Sequence, residues 1–170
     1  MVLLAPMKAG QAFPLLLLLA VASADACVTP PADQHAPVDV LITSAESIVL
    51  AKATGATQSG DYRSVYTLEP IRQIAGASAA RFEIVGYSNR DGRKGRSDWT
   101  FNNHVDKVFW EDDWAGRVVN STDCKLYPPF QVGGVYLVFF GATPHVKGFE
   151  RILDQTNDKW LHYVEAKAGR

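Results

Sequence analysis

Six consecutive apolar residues, Val135-Tyr136-Leu137-Val138-Phe139-Phe140, introduced by Gly133-Gly134 and closed by Gly141, read as the clearest buried strand in the chain. The segments before it carry strand patterns too. Residues 47–53 contain the apolar run Ile48-Val49-Leu50, residues 62–74 alternate with a bend expected at Pro70, and residues 81–87 set Phe82, Ile84 and Gly86 against Glu83 and Val85. Turns are expected at 55–60 and 76–80, which makes these three strands a meander. A fifth strand is expected around 147–153. Val38, Leu41, Ile42 and Ala45 recur at helical spacing, so a short helix is expected at 38–45. A second helix begins after Asn157 or Asp158 as cap, with Trp160, Leu161 and Val164 on one face and Gly169 past its end. The expected fold is mainly β with short helices: a five-stranded OB-like barrel with a C-terminal helix and a long insertion, about 88–123, between strands three and four. Leu50, Leu68, Ile84, Leu137 and Phe139 are then expected to point into one barrel core.

The first residues read as an export signal. Lys8 precedes an apolar stretch from Phe13 to Val21, and the small residues Ala22, Ser23, Ala24 and Ala26 follow. That stretch is well short of the roughly 20 residues needed to span a bilayer as a helix, so no stable membrane span is expected. Cleavage after Ala24 or after Ala26 are both consistent with the small-residue frames; the second leaves Cys27 as the new N-terminus and residues 27–170 as one domain. The expected location is outside the cell or in the periplasm. In such a compartment the two cysteines, Cys27 and Cys124, are most simply one disulfide. Closing so long a loop is worth about 4–5 kcal/mol on chain-entropy grounds. A net charge of −1 and a pI near 6.4 argue against a nucleic-acid partner, because phosphate binding draws on clustered Lys and Arg. The basic run Arg90, Arg93, Lys94 and Arg96 is interleaved with Asp91, Asp98, glycine and serine, and reads as a solvated loop.

No GxSxG, HExxH, Walker, GxGxxG or EF-hand pattern occurs in the chain. Chemistry-bearing residues gather once, where His104, Asp106, Glu111, Asp112 and Asp113 lie within ten residues. They read either as ligands of a divalent metal in a hydrolase or, more simply, as a solvated acidic turn flanked by Trp110 and Trp114. His35, His145 and His162 are isolated and read as ordinary polar residues. The insertion is also rich in aromatics, with Trp99, Phe101, Phe109, Trp110 and Trp114, which suits a cover for an open side of the barrel or a partner-binding patch.

Cys27-Val28-Thr29-Pro30-Pro31, the apolar segment 38–52, residues 66–76, and Cys124 followed by Phe130-Gln131-Val132-Gly133 and Tyr136-Leu137-Val138 resemble the netrin-type module. That OB-fold domain is shared by tissue inhibitors of metalloproteinases, complement C-terminal domains and bacterial secreted proteins. The resemblance implies a bridge between Cys27 and Cys124 and a non-enzymatic binding role without a cofactor, with a protein partner. In the inhibitor branch that partner is a zinc metalloprotease. The α-amine and carbonyl of the N-terminal Cys chelate its zinc, and the next side chain, here Val28, enters the specificity pocket. The ridge contacting the protease would be Cys27, Val28, Thr29, Ser121, Thr122 and Asp123. Thr29 stands where those inhibitors carry a second Cys. The alternatives are the metal-dependent hydrolase above and a structural envelope protein.

Overall fold

β1 (Ser47–Gln58) is the strand on which the fold is assembled, because Ile48, Val49, Leu50 and Ala51 are all fully buried in succession. A strand's side chains alternate between two faces, so unbroken burial requires cover on both. The computed structural model describes residues 37–77, 80–88, 101–111, 121, 125–142 and 145–169. In it β1 pairs antiparallel with β2 (Arg63–Gly76) on one side and with β4 (Val135–Phe140) on the other, and β3 (Phe82–Tyr87) extends the sheet beyond β2. The order is β3-β2-β1-β4: a meander whose fourth strand returns beside the first, which is Greek-key order.

Parity along the strands sorts the apolar residues into two cores. Ile48 and Leu50 of β1 lie opposite Phe139 and Leu137 of β4, and this face is covered by α1 (Val38–Ser44) and α2 (Lys159–Ala168). Val38, Leu41 and Ile42 come from α1, and Trp160, Leu161 and Val164 from α2. Val49, Ala51 and Ala53 face the other way, against Tyr66, Leu68, Tyr136, Val138 and Phe130. Each large side chain fully buried on either face contributes about 1.5–3 kcal/mol.

The sheet is open, so the expected closed five-stranded barrel is replaced by a four-stranded sheet with two cores. Of the five residues expected in one barrel core, Leu50, Leu137 and Phe139 belong to the helix-covered face, Leu68 belongs to the opposite core, and Ile84 is half-buried against that second core. The expected fifth strand is also corrected. Residues 146–149 form a 3-10 turn, and only Arg151 makes a bridge, to Tyr136. The backbone there still serves the edge of β4, since Leu137 N–H donates to the Glu150 carbonyl and Ile152 N–H to the Val135 carbonyl. The turn expected at 55–60 starts later, because β1 runs on to Gln58.

Local chemistry explains the bends. The β1–β2 ladder slips register in three places. At the first of them Gln73 Nε2 reaches across to the Ser47 hydroxyl and the Ile48 carbonyl. Pro70 is tolerated inside β2 because β3 pairs only as far as Leu68, leaving no ladder bond on that side for the missing N–H. α2 begins as expected, with Asp158 Oδ1 accepting the Leu161 N–H at 2.9 Å. Among the described residues, no helix is long and apolar enough to cross a membrane. The expected signal segment, Cys27 and Cys124 lie outside the described residues.

Residues 125–130 close the second core from the β3 side. The Tyr127 and Tyr87 rings meet at 5.6 Å, the Arg63 guanidinium lies 4.2 Å above Tyr127, and the Phe130 ring packs edge-on to Tyr66 and Tyr136. The approach depends on Gly86, where an added Cβ would lie 1.9 Å from the Pro128 carbonyl oxygen. Backbone cannot yield as a flexible side chain would, so Gly86→Ala is expected to cost about 3 kcal/mol or more. Equilibrium urea unfolding checks this; a loss below about 1 kcal/mol would mean that 125–130 does not seat against β3.

Candidate functional site

The insertion between β3 and β4 is where the sequence gathers its ionisable residues, and its described part, 101–111, folds as two 3-10 turns, Asn103–Val105 and Lys107–Trp110. Phe109 drives the packing. It is fully buried and meets Trp160 of α2 edge-on at 5.1 Å. Trp110 adds edge contacts to Trp160 and Tyr163, and its indole N–H donates to the His104 carbonyl at 2.9 Å. Phe101 is buried as well, and its backbone lies in the left-handed region at φ 45°, costly for an aromatic residue. Its carbonyl accepts the Arg151 N–H. Phe101, Phe109 and Trp110 therefore act as core; Trp99 and Trp114 lie outside the described residues.

His104 is the centre of the arrangement. Its Nδ1 lies 2.7 Å from Glu150 Oε2 and its Nε2 lies 3.0 Å from Asp158 Oδ2. All three side chains are almost wholly removed from solvent. Glu150 is fixed from two further sides: Asn103 Nδ2 donates to its Oε1 at 2.7 Å, and the His104 backbone N–H donates to its Oε2 at 3.2 Å. Asp158 is fixed by its cap on α2. One imidazole thus ties together the insertion, the chain flanking β4 and the start of α2.

Burial alone would push the His104 pKa down. The hydrogen bonds to Asp158 and Glu150, together with their charges, outweigh it and raise His104 from 6.5 to about 9. Burial would likewise raise Asp158, but the bonds from His104 and the Leu161 N–H hold its carboxyl below the usual value of 3.8. At neutral pH the site is an imidazolium between carboxylates. Both ring nitrogens are engaged, so the imidazole as placed has none free to take a proton from a substrate.

Beside this cluster opens a cleft of about 520 Å³ whose lining includes His104, Asp158, Trp110, Lys159, Val105 and Leu153. Lys159 Nζ sits 4.3 Å from the Trp110 ring centre. Val105 and Leu153 are among the most exposed apolar residues described, at 71% and 62%. Concave, largely apolar surface with a few polar groups and a perturbed histidine is the usual character of a binding site.

The residues read from the sequence as a metal cluster are placed apart in role. His104 turns inward, Asp106 caps the second 3-10 turn by accepting the Val108 N–H at 3.0 Å, and Glu111 is exposed. Asp112 and Asp113 lie outside the described residues. Among the described residues no group of three or more His, Cys, Asp and Glu side chains is arranged to hold a metal ion. Of the expected ridge, Ser121 is described: its hydroxyl donates to the Lys125 carbonyl at 2.8 Å and accepts the Lys125 N–H at 3.2 Å. Cys27, Val28, Thr29, Thr122 and Asp123 lie outside the described residues. Sequence reasoning missed Glu150 and Asp158 as partners of His104. The signal for Asp158 was present, since a helix cap is fixed in place and only one of its carboxylate oxygens is used by the cap; Glu150, 46 residues beyond His104, gave none. Comparisons with protein-family models, curated proteins and solved structures find no match to this chain.

Removing the imidazolium leaves two buried carboxylates without their counter-charge, so His104→Ala is expected to cost about 3–5 kcal/mol. Asp106→Ala, which removes only an exposed cap, is expected to cost about 1 kcal/mol or less. Urea unfolding of the two variants checks the contrast, and equal small losses would show that His104 carries no such charge.

Proposed function

We propose that this chain is an exported, non-enzymatic binding module of netrin type. The observation that favours this over a hydrolase is the occupation of both His104 nitrogens by carboxylates. His104, the one histidine of the cluster that looked most like catalytic machinery, is spent on holding the insertion to the sheet. The Greek-key strand order also supports the reading, because OB-type domains are Greek-key sheets that are only partly closed. Fold-level likeness transfers architecture more readily than activity, so the binding role is to be tested directly.

In its sharpest form, the module inhibits a zinc metalloprotease with its mature N-terminus. Cleavage after Ala26 frees the α-amine of Cys27, which with a pKa near 8 is partly neutral at physiological pH and able to ligate zinc. A bridge to Cys124 preorganises that edge, Val28 enters the pocket beside the metal, and Ser121, Thr122 and Asp123 continue the ridge.

Three preparations test this: protein beginning at Cys27, the same protein acetylated on its α-amine, and protein beginning at Asp25. The first is expected to inhibit members of a zinc-protease panel, with inhibition weakened by at least about a hundredfold in the other two, as befits a lost metal ligand. Equal potency of all three, or no inhibition by any, rejects the chelation mechanism. Mass measurement after alkylation, with and without prior reduction, reports whether Cys27 and Cys124 are bridged.

A further inference from the structure

A neutral imidazole carries one N–H and an imidazolium carries two. His104 presents one ring nitrogen to Glu150 at 2.7 Å and the other to Asp158 at 3.0 Å, and a carboxylate can only accept. Both contacts are hydrogen bonds only while the ring is doubly protonated. We propose that this proton is a latch: it holds the 101–111 segment on the sheet, and its loss in alkaline solution releases the segment and opens the adjoining cleft toward Trp160.

The placement of the three groups favours release over quiet neutralisation. Glu150 and Asp158 belong to elements anchored elsewhere, Glu150 through its backbone carbonyl to β4 and Asp158 through the cap of α2. His104 belongs to short 3-10 turns with a left-handed Phe101 beside them, so the insertion is the partner with least structure of its own. Losing the proton turns one attraction into the approach of a carboxylate to a ring lone pair in a site closed to water, where such a contact is least tolerable. Phe109 and Trp110 are carried by the same segment, and their edges on Trp160 separate if it lifts.

Other charged groups face the latch without substituting for it. On the insertion, Asp106 and Lys107 line the adjoining cleft with His104, and Glu111 is exposed. From the turn before Glu150, the buried Lys147 places Nζ 5.0 Å from the Phe109 ring centre, and His145 Nδ1 accepts the Lys147 N–H. Asp154 and Lys159 line the cleft. The direction follows from the shifts. His104 titrates near 9 when folded against 6.5 when unfolded, so the latch is at full strength below about 6.5 and weakens as pH rises through 9. Asp158 is shifted down, so its share is lost only in acid, as pH falls through its lowered value.

The test combines imidazole NMR of His104 with amide hydrogen exchange in the full protein across neutral to alkaline pH. The expected result is a His104 midpoint near 9, accompanied by a loss of protection at 103–110 of roughly ten- to a hundredfold beyond the intrinsic base-catalysed rise, while β1 and β4 keep theirs. Glu150→Gln supplies the control. Its amide can donate to a neutral Nδ1, at the expense of the His104 backbone N–H bond to the same position, so this variant is expected to titrate lower and to lose less protection at 103–110 on going to alkaline pH than the parent protein does. A midpoint near the ordinary histidine value overturns the proposal. So does titration near 9 with unchanged protection at 103–110, or loss of protection throughout the sheet at the same pH.

Discussion

Burial of β1 on both faces is the constraint from which the other features follow. Four consecutive side chains shut away from solvent require two partner strands and two separate covers. Helices α1 and α2 supply one cover, and the 125–130 segment with β4's Tyr136 and Val138 supplies part of the other. The insertion then has a defined place to dock. Its Phe109 completes the helix-side core against Trp160, and its His104 reaches the two carboxylates that the surrounding elements present.

The energetics of that docking differ from those of the cores. Apolar packing supplies free energy without direction, and each buried ring is worth a few kcal/mol wherever it fits. The His104 cluster supplies direction. A buried ion set adds little net stability over an apolar replacement, yet breaking it is expensive because a charge is left uncompensated. It therefore fixes where the insertion sits, and the same property makes the docking responsive to a single proton.

Much of the architecture was legible in the sequence. The run 135–140, the alternation in 62–74 and the cap-then-face pattern at Asp158, Trp160, Leu161 and Val164 each specify an element through local periodicity, and those elements form. The barrel was not legible, because closure depends on whether residues 147–153 pair along their length or turn first and make one bridge, and Lys147-Gly148-Phe149 suits either. Nor could the division into two cores be read strand by strand. Leu50 and Leu68 look equivalent in sequence, and the pairing of Leu68 with Ala53 rather than with a residue of Leu50's parity puts them on opposite faces. At the site, local clustering drew attention to His104 with Asp106 and Glu111, whereas its true partners lie 46 and 54 residues away. Ion pairing between distant segments leaves no periodic trace.

One buried imidazolium couples the insertion to the chain beside β4 and to α2. A double-mutant cycle tests it most directly, with His104→Gln and Glu150→Gln made singly and together and each stability measured by urea unfolding at neutral pH. Strong non-additivity is expected, with a coupling of about 1.5 kcal/mol or more, as for close buried charge pairs. Losses that simply add to within about 0.5 kcal/mol would contradict it.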